Sequence, residues 1–440
     1  MLEALKTSAK DKYFQDIEKA RLQPAPGWLT EIRERALDRF LEFELPQRRI
    51  EEWRVTNVAP VTSMPFPALV KPGPVLVTPD MLRPFLYGVA GWTELVFVDG
   101  FLAPALCRLP ERSDGVQAGG LLDAVENGYA ELPRHLDRCV ARSDGFFSAL
   151  NSALLLDGAY VHVPARRELR SPIHILHVRT DRQINAAAHP RNLVVADPQS
   201  KLTLIESYVS LAGRGRYLNN PVTELVLGEM ASVQICKVVA EGAHGCHLAT
   251  VSAVQAAGSR LKSCTFALDG KIVRNKLATV LDGENAACSL NGLYLARDGQ
   301  LVDNAVSVDH ARPHCTSWIG YKGVLDGNSH GVFSGAVQVR RNAQKTDSRQ
   351  LNQNLLLADE ATVDTKPLLE ICADDVKCTH GAAVGQPPEE ILYYFRSRGI
   401  GEGAARAMLT YGFAREIIEK IETVPLRNRV DRSVYERYTP

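Results

Sequence analysis

The stretch from about residue 146 to residue 385 consists of short β-like runs with almost no helical periodicity. Examples are AYVHVP, IHILHV, NLVVAD, KLTLIESYV, SVQICKVVA and VFSGAVQV, and Gly, Asp or Asn separates most of them. Closely spaced strands without crossover helices predict an all-β sandwich, a barrel or a solenoid. The number of strands, many of which end in small turn residues, favours a parallel β-solenoid, although no strict repeat emerges.

Helical patterns flank this β region on both sides. LTEIRERALDRFLEFELP has apolar residues at helical spacing, and Pro46 should end that helix. PPEEILYYFRSRGIGEG and AARAMLTYGFAREIIEKIE predict two helices near the C-terminus, with Gly399 at the first C-cap. We therefore expect an N-terminal, mostly helical domain (1–145), a β core (146–385) and a C-terminal helical domain (386–440).

The second C-terminal helix carries a wide apolar stripe. Such a stripe either packs on the protein's own core, which is the favoured interpretation, or docks to a partner. Its members are Ala405, Met408, Leu409, Phe413, Ile417, Ile418 and Ile421.

Composition argues for an ordinary globular protein in a reducing compartment. The 440 residues include 45% hydrophobic and 23% charged residues, and 51 basic residues balance 51 acidic ones, so no net field attracts nucleic acid or anionic lipid. MLEALKTSAKDKYFQ has no apolar signal core, and no run is long enough to span a membrane. The nine cysteines show no CxxC spacing, which favours reduced thiols and a cytoplasmic protein.

Common catalytic motifs do not occur. The sequence has no GxxxxGK[ST] phosphate loop, no GxSxG elbow and no HExxH metal motif. The glycines of RGIGEG lie between two helices instead of after a strand, which excludes a dinucleotide fingerprint. We therefore expect a protein without an ATPase motif of its own.

Cys378 and His380 are the first candidate site, within ICADDVKCTHGAAVG. In a strand, residues two apart face the same side, so both side chains can point at one place while Thr379 points away. Thiolate and imidazole suit iron or zinc, but two ligands are too few for a closed site. The rest would come from another chain or from sulfide; the alternative is that Cys378 is a small buried hydrophobe and His380 a hydrogen-bonded edge residue.

Two further groups of cysteine and histidine are weaker candidates. His310, His314 and Cys315 occur in DHARPHCTS, where Pro313 opposes a helix that would bring the two histidines together, although a loop could. The second group is interpreted as core plus turn. It consists of Cys236, His244, Cys246 and His247.

A solenoid also suggests a carbohydrate-active enzyme with charged residues on one face. The candidates would be Arg340, Asp374, Asp375 and Lys377. Adjacent aspartates in a strand point to opposite faces, and the aromatic content of 7% is low for sugar binding, so this interpretation is the weaker one.

Several blocks resemble one known family. SRQLNQNLLLADEATVDTKPLLEICADDVKCTHGAAVGQ, the later SRGI, RRIEEWRVTN, FSALNSALLLDGAYVHVP and YKGVLDGNSHGVFSGAV occur in the order typical of the SufB/SufD family of iron–sulfur cluster assembly proteins. The chain is closest to the SufD branch. The resemblance implies a right-handed parallel β-helix between helical regions. It also implies that the chain is not an enzyme but a scaffold subunit that works with SufB and the ATPase SufC.

The resemblance also implies site residues and partners. His380 and Cys378 would help to hold iron or a nascent, transient iron–sulfur cluster at the SufB contact, with none tightly bound to the isolated chain. SufB would pair through the β-helix edge, and SufC would dock on the C-terminal helices, where Tyr394, Arg398 and Phe413 are candidate contacts. A homodimer of the isolated chain and a SufB-like scaffold that uses its own cysteines stay open.

Overall fold

The computed structural model describes residues 9–63, 66–109, 115–142 and 145–438. Two parallel sheets face each other and form a β-solenoid, and helices cover the outer face of each sheet. The chain is thus mainly β, and the solenoid predicted from the spacing of the strands is confirmed.

The N-terminal layer surrounds the start of the solenoid. Its helices are α1 (Ala9–Arg21), α2 (Gly27–Glu42), α3 (Ala59–Thr62), α4 (Pro79–Leu82), α5 (Leu121–Glu126), α6 (Leu132–His135) and α7 (Phe146–Leu154). Its strands are β1 (Thr93–Val98), β2 (Phe101–Leu102) and β3 (Gln117–Gly120). Helix α2 ends before Pro46, as expected, and its Phe40 ring lies 5.0 Å from that of Phe146 on α7.

The β structure begins earlier than residue 146, where the sequence analysis placed the start of the β core. Strand β1 pairs in parallel with Ile173–Arg179 of the solenoid, so it belongs to the sheet although helices surround it in sequence. Residue 146 instead begins helix α7, all of whose residues are buried. Ser148, Asn151 and Ser152 recur at helical spacing within it, but the helix has only nine residues, and the pattern of a short, mostly apolar run does not distinguish a helix from a buried strand.

The remaining strands form the body of the solenoid. They are β4 (Ala159–Val163), β5 (Ile173–Arg179), β6 (Ala187–Ala188), β7 (Arg191–Ala196), β8 (Lys201–Ser210), β9 (Tyr217–Asn219), β10 (Val222–Leu227), β11 (Ser232–Ala240), β12 (Gly245–Gln255), β13 (Arg260–Asp269), β14 (Ile272–Leu281), β15 (Ala287–Ala296), β16 (Leu301–His310), β17 (Thr316–Leu325), β18 (His330–Val339), β19 (Asp347–Leu356), β20 (Thr362–Ile371) and β21 (Lys377–Gly385).

From β10 onward the chain alternates between the two sheets. The first sheet runs β2-β1-β5-β8-β11-β13-β15-β17-β19-β21, and the second runs β20-β18-β16-β14-β12-β10-β7-β4-β3. Side chains that point between the sheets fill an interior, here called the lumen, with residues such as Leu204, Ile235, Leu290 and Ile319. Each strand alternates between the lumen and the outer face, so register decides which residues meet.

A buried ionic cluster joins the N-terminal layer to the solenoid. Arg191 on β7 donates to Glu224 on β10 at 2.6 Å and to Asp137 at 3.1 Å. Glu224 also accepts from the backbone N–H groups of Asp137, Cys139 and Val140. Three buried charges and the backbone that follows α6 are therefore held together by hydrogen bonds.

The C-terminal layer covers the outer face of the first sheet. It consists of α8 (Glu389–Ser397), α9 (Glu402–Ile418) and α10 (Val424–Tyr438). Helix α10 was not predicted, although Leu426, Val430 and Val434 recur at helical spacing and are buried. Most of the α9 stripe packs on the protein's own core, as the favoured interpretation predicted, whereas Met408 is 53% exposed.

The two ends of the solenoid differ. At the N-terminal end, β2 pairs with β1 and β3 pairs with β4 in antiparallel fashion. At the C-terminal end, β20 and β21 form the terminal turn, and within the described residues each pairs with a neighbour on one side only. Their outer edges therefore present backbone N–H and C=O groups without strand partners. Among the described helices, none has the length and apolarity needed to cross a membrane.

Candidate functional site

Cys378 and His380 both lie on β21, the strand at the open edge of the first sheet. In the register of β21 on β19, Cys378 lies beside Ser348 and His380 beside Gln350. Ser348 and Gln350 are both buried, whereas Thr379 between the two candidates is exposed. The strand predicted for the pair is therefore present, with both side chains on the face that continues the lumen.

The environments of the two side chains differ. Cys378 is half-buried and packs against the apolar lining of the lumen, while His380 is exposed on the terminal turn. Burial raises the pKa of the Cys378 thiol; the Ser348 backbone N–H opposes this shift and the nearby Asp347 adds to it. The thiol is therefore protonated at neutral pH, and a bound metal ion would have to displace that proton to gain a thiolate ligand.

Gln350, on the strand next to His380, has a side-chain oxygen with no hydrogen-bond partner among the described residues. Its Nε2 donates to the Gly335 carbonyl at 3.4 Å, while its Oε1 is buried. Gln350 is the register partner of His380, so this oxygen belongs to the strand next to His380. A histidine that donates one ring N–H to an acceptor can bind a cation through its other ring nitrogen.

A chain of side-chain hydrogen bonds lies behind Cys378. The Oγ atoms of Ser348 and Ser317 are 2.8 Å apart, and Ser317 Oγ is 2.9 Å from His310 Nε2. His310 Nδ1 lies 3.4 Å from the Thr346 hydroxyl, which donates to a backbone carbonyl. This chain fixes the position of Ser348, the neighbour of Cys378.

The two histidines of DHARPHCTS point in different directions. His310 is fully buried in the lumen, and burial lowers its pKa to about 4, so the imidazole is neutral at neutral pH. His314 is exposed in a turn with a left-handed φ of 60°. The loop does not bring them together, and His310 instead belongs to the hydrogen-bond chain behind Cys378.

The second group of cysteine and histidine is also dispersed. Cys246 faces the N-terminal layer, His247 is buried beside Glu241 at 3.0 Å, and His244 is exposed in a turn. Cys236 lies under the C-terminal layer on the other sheet. These positions match the interpretation that the group consists of buried core residues and a turn residue, not of ligands to one metal ion.

Two of the four charged residues proposed for a carbohydrate-active site, Arg340 and Asp375, are engaged in other ion pairs. Arg340 binds Asp309 with its Nε at 3.0 Å, and Asp375 pairs with Lys345 at a corner of the solenoid. Asp374 is exposed on the same corner. No arrangement of these described residues resembles a pair of catalytic carboxylates facing one groove.

Cys372 is an exposed thiol on the corner between β20 and β21, which the sequence analysis did not single out. Within the described residues, no group of three or more His, Cys, Asp or Glu side chains is close enough to hold a metal ion. The terminal turn therefore offers a pair of candidate ligands and a nearby thiol, and a cation bound there would need donors from outside this chain.

The three candidate docking residues lie in different surroundings. Tyr394 on α8 is 56% exposed, and the guanidinium of Arg398 lies 5.3 Å from the centre of its ring. Phe413 on α9 is half-buried, with the Lys322 ammonium 4.3 Å from its ring centre. Phe413 therefore supports the chain's own packing, while Tyr394 is available to a partner.

Comparison with known proteins shows which family this chain resembles. The family described as "SUF system FeS cluster assembly, SufBD core domain" matches residues 177–413, and "SufBD protein N-terminal region" matches residues 8–175. An iron-sulfur cluster assembly SufBD family protein of Synechocystis is 31% identical, over 92% of this chain and 90% of its own length.

Two other relatives also match most of the chain. The iron-sulfur cluster assembly protein SufD of Escherichia coli is 30% identical, over 90% of this chain and 89% of its own length. The chloroplastic protein ABCI7 of Arabidopsis thaliana is 28% identical, over 92% of this chain and 85% of its own length. The resemblance noted in the sequence is thus confirmed, and the chain belongs to the SufBD family of iron–sulfur cluster assembly proteins.

Proposed function

We propose that this chain is a SufD-like scaffold subunit of a SUF complex, in which His380 and Cys378 supply ligands to iron or to a nascent iron–sulfur cluster. The cluster is the cargo of the complex and leaves for client proteins. The observation that carries the proposal is the terminal turn: the pair lies on β21 at the open end of the lumen, where the outer edges of β20 and β21 have no strand partner among the described residues. An incomplete ligand set at a free edge suits a site that a second chain completes.

The free edges indicate how that second chain would bind. Exposed edge strands accept further strands through backbone hydrogen bonds, and neighbouring apolar side chains then add buried area. Leu368, Ile371 and Val384 on or beside these strands are exposed apolar residues. We propose a SufB-like partner here, so that the two lumens meet end to end with His380 and Cys378 between them.

The positions of the other cysteines favour a SufD-like role over a SufB-like scaffold that uses its own core thiols. Six cysteines are buried, and burial raises the pKa values of Cys139, Cys246 and Cys288 among them. Buried protonated thiols are poor nucleophiles and poor ligands. All nine cysteines are unpaired, which supports a reducing compartment such as the cytoplasm.

An ATPase partner would use the C-terminal layer. Ile391, Tyr393 and Tyr394 on α8 and Met408 on α9 are exposed, although most of the α9 stripe is covered. Aromatic side chains at a surface are frequent binding anchors. We propose that a SufC-like ATPase docks on this exposed face, so that this chain supplies structure and the partner hydrolyses ATP.

The test is reconstitution of cluster assembly with SufB-like and SufC-like partners under anaerobic conditions. His380→Ala should lower the rate of cluster formation at least about tenfold while the complex still forms, since loss of a ligand costs at least as much as loss of a supporting group. Cys378→Ala should have a smaller effect.

His135→Ala provides a matched control, because His135 is a partly exposed histidine bonded to Glu131 in the N-terminal layer. It should leave the rate unchanged. Normal assembly by the His380→Ala chain in an intact complex would show that the terminal turn is not the site.

A further inference from the structure

Two cysteines lie face to face beneath the C-terminal layer. Cys236 on β11 and Cys264 on β13 are direct register partners on neighbouring parallel strands. Their side chains point to the outer face of the first sheet, into an apolar cluster that includes Ile417 and Ile418 of α9. They are 0% and 3% exposed, and neither takes part in the proposed cluster site.

The spacing of the pair suits a covalent bond. Neighbouring strands in a sheet lie about 4.8 Å apart, and register partners on parallel strands point the same way. This separation lies within the Cα–Cα range of about 4.4–6.8 Å in which disulfides form. A hydrogen bond to the Cys264 thiol, and then burial, raise the pKa of the Cys236 thiol, which agrees with the register in placing the two thiols side by side and leaves Cys236 unreactive while it is covered.

The C-terminal layer is what covers the pair. The carbonyl of Lys420, just after α9, lies 4.0 Å from Cys264 Sγ. A groove of about 460 Å³ opens beside it, lined by Trp318, Lys420 and Asn291 among others. Asn291 is the register partner of Cys264 on the next strand, so the groove reaches to within one strand of the thiols.

We propose that Cys236 and Cys264 are an oxidative modification site, which forms a disulfide when the C-terminal layer lifts and hydrogen peroxide reaches the thiols. In the first step, one thiolate attacks the peroxide; the O–O bond breaks, an S–O bond forms, and water leaves. The second thiol then attacks the sulfenic sulfur, an S–S bond replaces the S–O bond, and a second water carries away the remaining proton and oxygen. The two thiols lose two electrons, and one hydrogen peroxide becomes two waters.

The bond would join two successive turns of the solenoid at a place that only an open C-terminal layer exposes. A disulfide formed during a transient opening of the helices would thus persist after they close. The link would also constrain the unfolded chain, since it closes the loop between the two strands.

The test uses the full chain treated with hydrogen peroxide, then alkylated, digested without reduction and mapped by mass spectrometry. We expect a linked peptide pair that contains Cys236 and Cys264, absent in Cys264→Ser. Cys288→Ser is the matched control, since Cys288 is a buried thiol of the same sheet that faces the lumen, and it should leave the yield unchanged.

A second variant, Ile418→Asp, places a charge under α9 and should speed the linkage at least about tenfold by favouring local opening. Circular dichroism checks that the β core stays folded. The proposal is overturned if Ile418→Asp lets maleimide label both thiols yet peroxide gives no link between them. If the disulfide forms equally fast in the parent chain and in Ile418→Asp, the C-terminal layer does not control the access of peroxide to the thiols.

Discussion

Replacement of Glu224 by alanine should detach part of the N-terminal layer from the solenoid. Glu224 is fully buried, and its Oε1 accepts from Arg191 Nη2 at 2.6 Å, from Arg191 Nε at 3.2 Å and from the Asp137 N–H at 2.7 Å. Its Oε2 accepts from the N–H groups of Cys139 at 2.8 Å and Val140 at 3.2 Å. Loss of this one carboxylate therefore removes five hydrogen bonds.

The expected cost follows from these contacts. Breaking a buried ion pair by removing one partner costs about 3–5 kcal/mol. Arg191 keeps Asp137 at 3.1 Å as a second anion, which moderates the loss, while three buried N–H groups lose an acceptor. We therefore expect a destabilisation of about 4 kcal/mol, which corresponds to a roughly thousandfold larger open population of this segment.

Hydrogen exchange measured by mass spectrometry across residues 132–142 reports this opening directly. Glu168→Ala is the matched control: Glu168 pairs with Lys201 at 2.9 Å, but both side chains are exposed, so the exchange rates should not change. If Glu224→Ala exchanges no faster than Glu168→Ala in this segment, the buried cluster does not hold the two parts together.

Three further outcomes are expected. Burial lowers the pKa of His177 to about 3, so below about pH 6.5 the unfolded chain takes up a proton that the folded chain does not, and acid destabilises the fold. His177→Phe should reduce the pH dependence of the unfolding free energy by up to about 1.4 kcal/mol per pH unit, as measured by urea unfolding at several pH values. Tyr394→Asp should weaken binding of the ATPase partner in a pull-down without changing the melting temperature, whereas Phe413→Ala should lower the melting temperature, and the reverse pattern would contradict the docking face. The isolated chain, incubated anaerobically with ferrous iron and desalted, should retain little iron by elemental analysis; a stoichiometric, tightly held metal would indicate a self-contained site.

Much of the fold could be predicted because strand alternation is a local property. The runs around Leu204 and Ile235 alternate or remain apolar over a few residues, and that pattern alone indicates stacked short strands. Helix α7 was not predicted because FFSALNSAL has only nine, mostly apolar residues, and a run this short does not distinguish a helix from a buried strand.

The candidate site was predictable only in part. The two-residue spacing of Cys378 and His380 places them on one face of any strand, so the shared face follows from the sequence. Their neighbours Ser348 and Gln350 come from β19, and they depend on a register between turns that no local pattern contains. For the same reason the sequence gives no hint that His310 joins a hydrogen-bond chain leading to Ser348.

The unequal ends of the solenoid limit how large an assembly this chain can build. A solenoid with two open ends could add copies head to tail without limit, as fibres do. Here the outermost strands at one end, β2 and β3, are antiparallel to their neighbours and have two and four residues, whereas β20 and β21 have ten and nine. Very short edge strands pair poorly with other chains, so strand addition is favoured at the terminal turn, and pairing there yields a closed dimer instead of a growing fibre.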